Sequence, residues 1–204
     1  MNHISNVAAR PYRSGLRAQQ AEATRARILD ATVRVMADGF ASVSIPAVAI
    51  DAGVSVPTIY RHFRTKRDLL GAVYPHLAHR AGLDDLVPPR TVDELRDGAR
   101  ALFNQLESFD DLARAAMASP AAEDARRISM PGRIAVFRRF ADSIVPRASE
   151  ADRDRIARLL VILTTSSSMR TWRDHLGASV DEAADDVDWL VRAAIAAATS
   201  SSRR

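Results

Sequence analysis

Apolar residues recur at helical spacing along almost the whole chain, and no stretch alternates apolar and polar positions long enough to argue a strand. Ile28, Leu29, Thr32, Val33 and Met36 share one face of a helix expected from about Ala21 to Ala37, and Gly39 is placed to end it. Ile45, Val48, Ala49 and Ala52 mark a short second helix. Val56, Ile59, Tyr60 and Phe63 mark the inner side of a third. Gly53-Val54-Ser55 lies between them. Two short helices joined by a tight glycine turn describe a helix-turn-helix, whose second helix is the one offered to the major groove of DNA.

Starts of helices are marked repeatedly. Ser44 and Ser55 precede Pro46 and Pro57, and proline is tolerated in a first turn, where its missing N–H costs nothing. Thr65 with Asp68, Thr91 with Glu94, Ser108 with Asp111, Ser149 with Asp152, and Ser179 with Glu182 each place a hydroxyl three residues before an acid, the spacing of a reciprocal cap. A fourth helix is expected from Thr65, kinked or interrupted by Pro75. After Pro88-Pro89 the pattern predicts helices over about 91–107, 109–118, 120–128 and 131–145. Two long helices finish the chain, over about 150–175 and 180–198. In the last, Val187, Leu190, Val191, Ala194, Ile195 and Ala198 form one stripe. The expected fold is all-α, in three parts: a flexible basic arm over 1–20, a DNA-binding head over 21–70 and a helical body over 71–204.

Small residues fill 164–168 and 193–198, where they serve either packing within the chain or close approach of a second copy. The second use is favoured, because a helix-turn-helix commonly reads two half-sites as a symmetric dimer.

Charge sharpens the picture. Residues 1–70 carry a net +5 and residues 71–204 a net −1, so the excess cation sits with the helix-turn-helix, where it would neutralise phosphates. Arg10, Arg13 and Arg17 belong either to a disordered tail or to a basic arm lying along DNA. Of 29 basic residues only Lys66 is lysine, which reads as the codon bias of a GC-rich genome. There is no cysteine, so disulfide and thiolate chemistry are excluded. No apolar run is long enough for a membrane span or a secretory signal, and a cytoplasmic location is expected.

The residues from Arg27 to Leu70 resemble the DNA-binding domain of TetR-family transcriptional regulators. The resemblance rests on Ile28-Leu29-Asp30-Ala31, Gly39-Phe40, Ser44, Val48-Ala49, Ala52-Gly53-Val54-Ser55 and Thr58-Ile59-Tyr60-Arg61-His62-Phe63, followed by Lys66 and Leu69. Val48 stands where the family usually has isoleucine. The rest of the chain resembles the family only in helical layout and length. The family implies a three-helix reading head on a ligand-binding, dimerising body, usually a repressor that leaves DNA when a small molecule binds. It also implies that Ser55, Val56, Pro57, Thr58, Tyr60, Arg61 and His62 lie on or near the DNA face. Tyr60 and His62 would touch phosphate, Lys66 would anchor the backbone, and Ser44 would meet phosphate at the start of the second helix. Residue chemistry agrees, since hydroxyls, imidazole, lysine and helix N-termini all donate to phosphate. Arg61 either reads guanine with its two-donor fork or holds phosphate, and Val56, Pro57 and Thr58 suit thymine methyls.

Other constellations carry less. His76 and His79, near Asp84 and Asp85, have a spacing that permits a metal pair, but surface histidines are the simpler account and no metal or cofactor is expected. No phosphate loop or nucleophile motif is present, and no enzyme activity is expected. A ligand cavity is expected among the helices between residues 80 and 176. Phe103, Leu106, Met117, Met130, Phe137 and Trp172 are the candidate lining, or else ordinary core, and they suit an apolar or aromatic effector. The partners expected are double-stranded DNA with a palindromic operator, a small-molecule effector and a second copy of the chain. The alternative is a small-molecule-binding helical protein or scaffold without specific operator recognition.

Overall fold

The structure, a computed structural model, describes residues 10–40, 42–86 and 89–201. Among these residues there is no strand, and the α-helices are α1 (Arg10–Ala37), α2 (Ile45–Ala52), α3 (Val56–His62), α4 (Lys66–Arg80), α5 (Leu95–Glu107), α6 (Asp111–Ala118), α7 (Ala122–Ile144), α8 (Glu150–Leu163), α9 (Ser166–Arg170) and α10 (Val180–Ser201). A 3-10 turn at Leu83–Asp85 follows α4, and a π turn at Thr171–His175 extends α9.

Two buried clusters hold these helices together. The first joins Ile28, Val33, Met36, Val48, Ile59 and Leu69 of the head to Phe109, Ala116, Met117 and Ala125. The head thus shares its core with α6 and the start of α7, and α1 packs directly on α6. The second cluster lies among α5, the far half of α7, α8, α9 and α10, centred on Phe103, Ile156, Leu160, Val187 and Val191. Residues on α10 spaced as 183, 184, 187, 191 and 198 are buried, which is the periodicity of a packed helical face.

Several boundaries differ from the sequence reading, each for a local reason. Helix α1 begins at Arg10 and not near Ala21. Residues 15–23 are all exposed, so no apolar stripe marks them. They hold together as a run of strong helix formers, Leu16 to Ala23. Residues 1–9 of the expected arm lie outside the described residues. Helix α7 runs unbroken through Pro131, where two helices were expected. Its first half is anchored in one cluster by Ala122 and Ala125 and its second half in the other by Ala141, so packing at both ends outweighs one missing hydrogen bond. The expected 150–175 helix divides at Thr164. The Thr164 hydroxyl donates back to the Leu160 carbonyl (2.5 Å), and extended Thr165 caps a new helix by accepting from the Ser168 N–H.

Two of the five reciprocal caps form in full, Thr65 with Asp68 and Ser179 with Glu182. Ser149 caps its helix by accepting from the Asp152 N–H, but the Asp152 carboxylate takes the Ser149 hydroxyl and not its N–H. Thr91 does not cap: Glu94 accepts from the Arg90 N–H and α5 starts at Leu95. Ser108 ends α5, and Asp110 caps α6 by accepting from the Ala113 N–H at 2.7 Å.

Candidate nucleic-acid interface and body cavities

The turn between α2 and α3 is fixed by backbone geometry. Gly53 takes φ 63°, a left-handed conformation that costs an L-residue about 1–2 kcal/mol, and its N–H and that of Val54 return to the last carbonyls of α2. Ser44 and Ser55 each cap the helix that follows, accepting from Ala47 and Thr58. The Ser55 and Thr58 hydroxyls also lie 2.9 Å apart. Both prolines sit in first turns. Ile59 and Phe63 are buried and pin α3 to the head, and the Arg25 guanidinium stacks 4.4 Å from the centre of the Phe63 ring. Arg34 pairs with Asp51 at 2.7 Å, which locks α1 to α2.

With α3 held from behind, its outer side presents Ser55, Pro57, Tyr60 and Arg61, with Thr58 and His62 half-exposed. Tyr60 has two placements by sequence, and 46% of it is exposed, so it belongs to the outer face that the resemblance implies and not to the inner side that apolar spacing gives. Val56 is half-buried and packs against the head core, leaving only part of its side chain to the outside. Ser44 is exposed at the start of α2, and Lys66 is half-exposed in the first turn of α4.

The cations at the end of α3 and the start of α4 are unopposed. Arg61, Arg64, Lys66 and Arg67 form no ion pair with a described carboxylate, whereas most body arginines do, as in Arg138 with Asp142 and Asp154 or Arg192 with Asp93 and Asp188. A cation already paired gains little from phosphate; an unpaired one releases counterions when phosphate arrives. His62 sits among these charges. Burial pushes its imidazole below the ordinary value, and Arg61 and Arg25 push it the same way. Unfolding therefore takes up a proton here: the contribution to stability is complete above about pH 6.5 and is lost as pH falls through the lowered folded value.

The head meets the body at α4. His76 pairs with Asp30 at 2.7 Å, and Arg80 bridges Asp30 of α1 and Asp110 at the cap of α6. His79 instead faces Asp84 at 2.8 Å, so the two histidines do not converge. Among the described residues no three metal-ligating side chains cluster. On the other side of α4, Gly71 lies so close to α7 that an added Cβ would stand 3.0 Å from Ile128 Cγ2.

Two clefts flank α9. One, of about 280 Å³, is lined by Leu106, Phe109, Arg114, Met117, Met169 and Arg173. The other, of about 270 Å³, lies between α4, α7, α8 and α9 and includes Tyr74, Arg126, Met130, Arg133 and Ile162, with the hydroxyls of Thr165 to Ser168. Of the six expected lining residues, Leu106 and Met117 border the first cleft and Met130 the second. Phe103 is fully buried in the body core, and Phe137 and Trp172 pack against that core. The polar lining, Tyr74, Arg126, Arg133 and Ser166 to Ser168, was not anticipated. Arg126 and Arg133 are one heptad apart on a helix, but a chain so rich in arginine hides that signal, and the serines read as packing residues.

Residues 28–73 match the family model described as bacterial regulatory proteins, tetR family. No curated protein matches the chain in sequence at a significant level. Among solved structures, a transcriptional regulator from Rhodococcus sp. Rha1 superposes with a TM-score of 0.51 at 19% identity, over 86% of this chain and 97% of that one. At that identity the likeness is one of fold, and it extends beyond the head into the body.

Proposed function

We propose that this chain, whose residues 28–73 match the tetR family model, is a DNA-binding regulator of that family and acts as a homodimeric repressor released from a palindromic operator by a small apolar or aromatic ligand held in the body. The observation that carries the reading is the outer face of α3, capped and braced from behind and carrying Arg61, with Arg64, Lys66 and Arg67 following; these four pair with no described carboxylate. Tyr60, His62, Lys66 and Ser44 hold phosphates; Pro57, Thr58 and Arg61 face base edges, with Val56 at the margin. Dimerisation is supported by exposed apolar surface on the last helix: Trp189 is 71% exposed and continues into Ala193 and Ala196 on α10. Among the described residues no helix is long and apolar enough to cross a membrane.

Footprinting on DNA upstream of the protein's own gene tests the reading. It should reveal a protected palindrome with half-sites about one or more helical turns apart, and binding no tighter than to random DNA overturns it. The molecular mass in solution should be about twice 22.3 kDa, and a monomer at all concentrations removes the dimer.

Release follows from differential affinity: the ligand favours body packings in which the two heads no longer match successive grooves. Helix α4 transmits this, being fixed to the head by Leu69 and Leu70 and to α7 through Gly71. Gly71→Leu is expected to wedge α4 from α7, cost about 1–3 kcal/mol of stability and weaken operator binding. Adding Ile128→Ala should recover much of both, measured by thermal unfolding and gel shift. His62 gives a pH signature. Phosphate beside it favours the imidazolium, so DNA binding takes up a proton and affinity should rise a few-fold as pH falls from about 7.5 to 6. His62→Gln should flatten that rise; a profile unchanged by the substitution removes His62 from the interface.

A further inference from the structure

The cleft between α4, α7, α8 and α9 has a charge imbalance. Its lining includes the guanidinium groups of Arg126 and Arg133 and no aspartate or glutamate. Arg133 makes one hydrogen bond, to the Thr164 carbonyl at 3.1 Å, and pairs with no described carboxylate. Burial lowers its pKa, with only the Tyr74 hydroxyl opposing the shift. Arg126 is held by Glu123 and by the Met117 carbonyl, yet its Nε–H is buried without any acceptor. Tyr74 on α4 faces the same space, its hydroxyl close to Arg126 and Ser166, and burial pushes its pKa up. A desolvated cation without a counter-ion is unfavourable, and a buried donor without an acceptor costs about 1–3 kcal/mol. Both residues line one cavity, where a carboxylate would supply the acceptor that each lacks.

We propose that this cleft binds an organic monocarboxylate, its carboxylate held by the Arg133 fork, the Arg126 Nε–H and the Tyr74 or Ser166 hydroxyl, and its apolar body laid against Met130, Val161 and Ile162. Planar guanidinium donors match the two oxygens of a carboxylate, and the apolar wall selects against a small inorganic anion. The inference rests on the body being the ligand receptor, and it narrows the ligand from apolar to amphipathic and acidic. Because Tyr74 belongs to α4, the carboxylate engages the element that carries the head.

The test is calorimetric titration of the full chain with octanoate, octanol and inorganic phosphate, beside a gel shift with and without octanoate. Octanoate should bind at least about tenfold more tightly than octanol, and phosphate more weakly than octanoate. Arg133→Met should abolish that preference while keeping octanol binding. Arg133→Lys, which preserves charge but loses the fork, should recover only part of it. Equal affinity for octanoate and octanol, tighter binding of phosphate, or no octanoate binding up to about 10 mM each overturns the proposal. The preference within the unaltered chain decides the matter even if the variants fail to fold. Octanoate bound with this preference while DNA is retained refutes ligand release and leaves the acid site standing. Release of DNA by octanol as readily as by octanoate does the reverse.

Discussion

Replacing Arg61, Arg64, Lys66 and Arg67 together by alanine is expected to abolish specific operator binding while leaving the fold in place. None of the four has an ion-pair partner among the described carboxylates, and three are exposed. Surface changes of this kind shift stability by only about 0.5 kcal/mol each. Their loss to DNA binding is far larger. Each neutralised phosphate contributes about 0.9 to the slope of log K against log salt, so phosphate contacts by Arg64, Lys66 and Arg67 carry about 2.7 per head and about 5.4 in a dimer. If the lines for the two proteins meet near 1 M salt, affinity at about 0.1 M falls by more than three orders of magnitude. Fluorescence anisotropy over a salt series reads both the affinity and the slope. An unchanged slope would place the DNA on another face of the molecule.

The second large effect is on stability. Phe103→Ala should cost about 3–5 kcal/mol, the range for removing a wholly enclosed aromatic ring. Phe103 has no exposed surface and sits in the cluster with Leu95, Ala141, Ile156 and Val187, so the change leaves a void among four helices. That is a large share of the stability of a domain, and the denaturant midpoint should drop accordingly. Met130→Ala, at the edge of the cleft and half-buried, should cost clearly less and act on ligand affinity instead. A loss below about 1 kcal/mol for Phe103→Ala would show that the ring lines open space and is not core.

These contrasts trace how far the amino-acid order reveals the molecule. The head is legible because its signals are local: Ser44 and Ser55 as caps, prolines in first turns, and Gly53 where φ must be positive. Tyr60 misleads because a seven-residue helix has barely two turns, too few for its inner and outer faces to be told apart by period. In the body the signals are tertiary. Pro131 ordinarily ends a helix, and only the two clusters gripping α7 keep it continuous. The break after Leu163 depends on two threonine hydroxyls choosing different backbone partners. The polar lining of the cleft comes from α4, α7 and α9, segments far apart in sequence, so no spacing rule joins Tyr74 to Arg133 and Ser166. Met130 is legible by its apolar character, whereas Arg126 and Arg133 on either side of it are lost among the many arginines of the chain.

The sharing of the head's core with α6 bears on transplantation. A reading head cut out after α4 would take Ile28, Val33 and Met36 with it and leave Ala113, Ala116, Met117 and Phe109 behind. It would carry an uncovered apolar flank along α1, and the donor body would keep a matching scar. Chimeras that exchange operator specificity between relatives should therefore join more cleanly when the facing residues of α6 and the first turns of α7 travel with the head, even though α6 begins only at Asp111, well after α4 ends at Arg80.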